Sequence, residues 1–269
     1  MRRGFRLAIA AVLVFFASPA AAQEGSSADL AKQLANPVAN LISVPFQYNY
    51  DCCFGPKDGD KSTLNIQPVI PFGISEDWNL ITRTILPVVG ASSPATGVDS
   101  VFGLGDTVQS FFLSPKQTKS GIIWGVGPAF LWPTGTDAQL SADKWGVGPT
   151  AVVLKQQSGW TYGVLANQIW SYADTGGGAT KPDVNAAFLQ PFLTYTWPSS
   201  TTLALNTEST FDWQANEATI PVNLAVSHIY KFGEQPVQLQ FGGRVYLDRP
   251  DGGPDWGLRA TATFLFPEK

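Results

Sequence analysis

The chain has 269 residues, 14% charged and 12% aromatic, with a mean hydropathy of +0.02 and a formal net charge of −4. A soluble domain ordinarily carries about 25% charge, yet no stretch after residue 22 supplies the roughly 20 apolar residues of a spanning helix. Low charge, near-neutral hydropathy and no helical span fit a membrane β-barrel, whose strands show lipid only every second side chain, and the acidic balance gives no basic surface for nucleic acid.

Arg2, Arg3 and Arg6, the apolar run Leu7 to Ala17 and the small residues Ala20-Ala21-Ala22 have the order of a secretory signal peptide. Residues 1–22 are therefore set aside as an export leader. In residues 23–41, Ser27, Asp29, Leu30, Leu34, Val38 and Leu41 predict a short amphipathic helix interrupted at Pro37. The segment reads as a periplasmic lead-in, with a small plug in the barrel mouth as the other reading.

From residue 42 to 269 the chain alternates strands with turns. Twelve strands are predicted, at 42–52, 62–73, 77–88, 104–114, 120–133, 145–157, 159–172, 184–197, 201–213, 217–231, 236–248 and 256–267. A tilted strand needs about 9–11 residues to cross a bilayer. Short connections at 74–76, 114–119, 158, 198–200 and 232–235 alternate with mostly longer ones at 53–61, 89–103, 134–144, 173–183, 214–216 and 249–255. Short periplasmic turns and long extracellular loops are the habit of outer-membrane barrels, and an even strand count puts both termini in the periplasm.

The dyad is clearest near the C-terminus. Val237, Leu239, Phe241, Val245 and Leu247 oppose Gln238, Gln240, Arg244, Tyr246 and Asp248. Trp78, Trp145, Trp160, Trp170, Trp197, Trp213, Tyr230 and Trp256 fall near strand ends, as interfacial girdles do. Pro68, Pro128, Pro149, Pro191 and Pro221 lie inside the predicted strands, where each removes a ladder donor, and the sequence alone offers no reason for them. Cys52 and Cys53 are adjacent and read as two loop thiols, bridged or free.

Leu34-Ala35-Asn36-Pro37-Val38-Ala39-Asn40-Leu41-Ile42-Ser43-Val44-Pro45-Phe46-Gln47, Gly103-Leu104-Gly105-Asp106, Trp145-Gly146-Val147-Gly148-Pro149-Thr150 and Pro250-Asp251-Gly252-Gly253-Pro254-Asp255-Trp256-Gly257-Leu258-Arg259 carry a resemblance. Together they resemble proteobacterial outer-membrane proteins often labelled "transporter" or "neuromedin U". That group is similar to the barrel family named for the meta-pathway of phenol degradation. The resemblance spans nearly all of the chain after the leader. It implies an outer-membrane barrel and passage of small molecules, and brings no catalytic residues.

The expected fold is thus all-β: a transmembrane, up-and-down antiparallel barrel of about twelve strands in the outer membrane of a Gram-negative bacterium. Its partners are outer-membrane lipid, a small solute and, during biogenesis, the barrel-insertion machinery. A single histidine leaves no imidazole cluster for a metal, no cofactor motif is present, and the chain is not read as an enzyme. An outer-membrane phospholipase would need a Ser–His pair on the lipid-facing wall. His228 does face outward, with Val222, Leu224 and Val226, but counting about loop centre 215 sets Leu203 opposite it, at the short-turn end.

The candidate lumen residues are Arg83, Asp106, Glu208, Asp212, Arg244, Asp248 and Arg259. Register counting puts Glu208 and Arg244 at similar depth, roughly 10 Å apart at the usual strand spacing, with Arg259 nearly opposite Arg244. Asp212 and Asp248 come out nearer the outer mouth. Such charges either pair as a structural network or form a constriction with acidic and basic sides. The protein is expected to be a channel or transporter for small molecules, apolar or aromatic ones included. A closed structural or adhesive barrel with functional outer loops is the alternative.

Overall fold

The computed structural model describes residues 24–118, 120–176 and 181–267; the expected leader lies outside them. The strands are β1 (Ile42–Phe54), β2 (Gly59–Ile66, continuing as Val69–Gly73), β3 (Trp78–Ala91), β4 (Val101–Leu104, continuing as Thr107–Pro115), β5 (Ile122–Trp132), β6 (Lys144–Gln157), β7 (Trp160–Asp174), β8 (Asn185–Thr196), β9 (Thr201–Thr207, continuing as Ser209–Asp212), β10 (Glu217–Phe232), β11 (Gln235–Asp248) and β12 (Trp256–Phe266). Each pairs antiparallel with the next, and β12 returns to β1 from Ile42↔Phe266 to Cys52↔Trp256, which closes a twelve-stranded barrel. Closure leaves no strand edge unpaired.

The connections sort by end much as expected. The links 74–77, 158–159, 197–200 and 233–234 sit at one mouth with the start of β1 and the end of β12, and 92–100, 133–143 and 249–255 at the other. One connector shrinks: β1 runs on to Phe54 and β2 starts at Gly59. Cys52 and Cys53 are bridged to each other at the end of β1, where Cys53 takes φ 77° and the register to β2 shifts.

Alternation sets the two faces of the wall. Leu224, Val245 and Leu258 point outward and are 54–55% exposed, whereas Asn49, Asn223, Arg244 and Arg259 point inward and are buried. Removing one such outward side chain from water is worth about 1.5–3 kcal/mol, so the band demands lipid. Aromatic pairs mark both rims: Trp78–Trp124 at 5.9 Å and Trp160–Tyr195 at 4.8 Å at the short-turn end, Trp132–Trp145 at 5.5 Å and Tyr50–Trp256 at 6.2 Å at the other.

The prolines find their reason in the neighbouring strands. Pro128 and Pro149 are Cα partners across β5 and β6. On their far sides the ladder lapses: β4–β5 pairing skips from Ser110↔Ala129 to Leu113↔Val126, and β6–β7 from Val147↔Trp170 to Thr150↔Asn167. Each proline turns its missing donor toward a gap. Pro191 on β8 and Pro221 on β10 flank Glu208, where β9 is interrupted. Pro68 ends the first half of β2, beside a bond from Gln67 N to Pro45 O at 2.9 Å, and Gly105 N donates to Pro87 O at 2.9 Å where β4 breaks.

Residues 24–41 lie against the inner face of the barrel at its short-turn end. Helix α1 (Glu24–Leu34) touches β8, β9 and β10. Leu30 and Ala31 lie in one apolar cluster with Leu41, Ile229 and Leu265, with Leu34 packed against it. Gln156 Nε2 donates to Lys32 O at 2.7 Å. The helix stops because Pro37 disfavours helical backbone at Asn36. Asn36 instead accepts from Val38 N through its side chain at 3.0 Å and from Ala39 N through its carbonyl at 3.1 Å. Val38 then joins a cluster of Ile81, Phe112, Val152, Leu154 and Leu165, the apolar sector of the inner wall.

Candidate functional site

The opposite sector of the inner wall is charged. Arg259 on β12 grips Glu208 with both terminal nitrogens, Nη1 to Oε1 at 2.9 Å and Nη2 to Oε2 at 2.6 Å, and its Nε donates to Asn49 Oδ1 at 2.8 Å. Arg244 on β11 donates from Nη2 to the same Asn49 oxygen at 2.8 Å and lies 3.5 Å from Glu208 Oε2. Its Nη1 reaches Asp51 Oδ1 at 3.4 Å and Tyr246 OH at 3.3 Å, and Tyr246 OH donates to Asp51 at 2.7 Å.

Register explains the convergence. Arg259 is the Cα partner of Asn49 on one side and of Gly242 on the other. Gly257 lies between Asp51 and Arg244 in the same rows, and a Cβ there would collide with the Asp51 carboxylate and the Arg244 stem. Glu208 sits in the ladder gap between its two proline-bearing neighbours. Paired in this way, the charges offset most of the cost of leaving water, and an unpaired member would not. Among the described residues, Arg244 Nε is buried without a hydrogen-bond partner.

The other sequence candidates fall elsewhere. Arg83 faces the lumen from β3, and its Nη2 donates to Gln67 Oε1 at 3.3 Å. Asp106 is not part of the cluster: it accepts from Gly135 N at 2.9 Å, Ser141 Oγ at 2.8 Å and Ala142 N, so it anchors the 133–143 loop. Asp212 is exposed and accepts from Gln214 N at 2.9 Å and Ala215 N at 3.1 Å, closing the turn to β10. Asp248 is exposed at the rim and accepts from Arg249 N at 2.9 Å. For these three, strand parity gave the face but not where the loops fold back. Sequence reasoning missed Asn49, Asp51 and Tyr246 as members of the cluster. The alternation of Ser43, Pro45, Gln47, Asn49 and Asp51 with Val44, Phe46, Tyr48 and Tyr50 was the available signal for β1.

A cavity of about 240 Å³ lies between residues 31–41 and the wall. Arg83, Arg259, Gln67 and Gln190 line it on the polar side, Val69 and Phe192 on the apolar side. At the long-loop rim, Lys181 Nζ bonds Ala138 O at 2.8 Å, Ser141 O at 2.7 Å and Asp143 Oδ2 at 2.6 Å. The hydrogen bond from Lys181 holds the Asp143 carboxyl below the usual carboxylate range. Lys144 pairs with Asp174 and, at 3.2 Å, with Asp183.

His228 faces outward at the short-turn end, its ring 4.7 Å from that of Tyr230. Thr201, not Leu203, is its Cα partner, and the Thr201 hydroxyl bonds His228 Nδ1 at 2.9 Å. The expected register was off by two residues: Leu203 opposite His228 centres the turn on 215.5, and the observed Thr201↔His228 pair centres it on 214.5. No group of three potential metal ligands occurs among the described residues.

Solved structures share this fold. The chain is similar to the COG4313 outer membrane channel from Pseudomonas putida F1, with a TM-score of 0.64, 16% identity and coverage of 84% of this chain and 96% of that one. It is also similar to outer membrane phospholipase A from Escherichia coli, with a TM-score of 0.50, 10% identity and coverage of 92% and 99%. At such identities the likeness is one of fold. No protein-family model matches the chain, and no curated protein does.

Proposed function

We propose that the protein is a passive outer-membrane channel for small molecules, apolar and aromatic ones included, in a Gram-negative bacterium. The single observation that carries this reading is the two-sided inner wall. A charged sector of Asn49, Asp51, Glu208, Arg244 and Arg259 faces an apolar sector of Ile81, Phe112, Val152 and Leu165, with a cavity between the wall and residues 31–41. A lumen that served only to fill itself would have no need of unfilled space beside half-buried polar groups. The fold shared with an outer-membrane channel and the sequence resemblance support the same reading.

Outer-membrane lipid covers the apolar band, and the barrel-insertion machinery assembles it. Residues 24–41 act as a plug that narrows the periplasmic mouth. The test is planar-bilayer recording of the chain without its leader, with and without residues 24–40. Conductance steps that grow on removal of the segment are expected. A silent bilayer for both proteins, with no solute entry into liposomes, would overturn the reading.

A closed structural or adhesive barrel is the second reading, favoured by the ion pairs that cross the lumen and by the seated segment. Its sign is normal folding with no permeability to any solute. No catalysis is proposed. The partner of His228 is a threonine at the short-turn rim, and a lipase would instead hydrolyse lipid and lose that activity in His228→Ala.

A further inference from the structure

Arg83 is the guanidinium that the lumen leaves without an acid. Arg259 is matched by Glu208 in a two-pronged pair, and Arg244 shares Glu208 and Asp51. Around the cluster and the cavity, three guanidinium groups (Arg83, Arg244, Arg259) therefore face two carboxylates (Asp51, Glu208). Arg83 makes no ion pair among the described residues; Glu208 attracts it across the lumen from beyond ion-pair distance, and its one bond is the 3.3 Å contact with the neutral Gln67 amide. A half-buried guanidinium with no carboxylate in ion-pair contact favours any anion that reaches it. Its planar fork of donors fits a carboxylate edge-on.

The space beside it has the matching shape and chemistry. Gln67 and Gln190 line the cavity next to Arg83, and Leu34, Val69 and Phe192 line its apolar part. Its volume of about 240 Å³ is below the roughly 300–1,000 Å³ of pockets for larger ligands. Room is left for one ring or a short chain. A dianion such as phosphate would call for a second unpaired cation, and Arg259 is already taken up by Glu208. A wholly apolar solute would leave Arg83 bare.

We infer that this cavity binds a small amphiphilic monocarboxylate, its carboxylate on Arg83 and its ring or short chain against Phe192, Val69 and Leu34. The inference rests on the channel reading for how the acid arrives, but the site is tested without transport. The protein lacking its leader, folded in a detergent with an uncharged head group, is titrated calorimetrically with phenylacetate and with phenylacetamide. These probes share a ring and differ in charge. The wild type is expected to bind the acid at least ten times more tightly than the amide, Arg83→Lys to keep part of that preference, and Arg83→Gln to lose it while keeping heat-modifiable gel mobility. Equal binding of acid and amide by the wild type overturns the site, whatever the variants do, and so does an Arg83→Gln protein that still prefers the acid. A protein that binds the acid yet conducts nothing keeps the site and loses the channel; one that conducts without preferring the acid does the reverse.

Discussion

Arg259 and Glu208 meet through two parallel hydrogen bonds of 2.9 and 2.6 Å, although two whole strands stand between β9 and β12. Along a flat sheet, three strand spacings would separate them by roughly 14 Å. The barrel's curvature and the length of the two side chains close that distance across a chord. Removing one partner leaves the other charged in a largely dehydrated place. Arg259→Ala is expected to destabilise the barrel by about 3–5 kcal/mol, read as a lower urea midpoint in gel-mobility unfolding. Glu208→Gln combined with Arg259→Met should recover much of the loss.

Arg244 contributes a positive charge to the lumen between Asp51 and Glu208. Arg244→Ala unbalances both carboxylates, so the open-channel reversal potential under a salt gradient should move toward cation selectivity. An unchanged potential in a conducting variant would place the ion path away from this cluster.

Val38 inserts among Ile81, Phe112 and Val152 and is 5% exposed. Val38→Asp puts a charge into that apolar sector at a cost of several kcal/mol, enough to unseat the segment but not the wall. Larger conductance steps with unchanged heat-modifiable mobility are expected.

The loop bond between Lys181 and Asp143 carries a pH signature. A depressed folded-state carboxylate stabilises above its ordinary value, about 3.9, and that contribution fades as pH falls through the lower folded value. Amide exchange in loop 133–143 should be faster in Lys181→Met than in wild type at pH 6. The difference should shrink as pH falls below the ordinary carboxylate value, because the pair is lost on protonation.

Gly148 abuts the carbonyl of Gln168 so closely that a Cβ would overlap it, whereas Gly243 has only the Gly257 oxygen nearby, at 3.8 Å. Gly148→Ala should cost about 1–3 kcal/mol or block folding, and Gly243→Ala should be close to neutral by the same unfolding assay.

Much of this was legible in the chain. All twelve strands were, because turn residues and the alternation of short with long connections punctuate them, and Gln238 to Asp248 spell out the dyad as well. The prolines were not. Whether Pro128 is tolerated depends on which β4 residue stands behind it, and whether Pro191 and Pro221 are tolerated depends on Glu208 breaking the strand between them. Arg83, Glu208, Arg244 and Arg259 could be assigned to the inner face by counting. The contact between Glu208 and Arg259 could not, because it spans the curvature of a closed wall. The bonds of Asp106 could not be foreseen for a different reason: its partners Gly135, Ser141 and Ala142 belong to a loop whose path has no period to follow.

The seat of α1 is shared between strands that are distant from it in the sequence. Its apolar contacts combine Ile229 of β10 with Leu265 of β12. Helix α1 therefore has its full set of apolar contacts only when β10 and β12 both stand in the wall. A wall not yet joined along the β12–β1 seam would offer the helix only part of that footing.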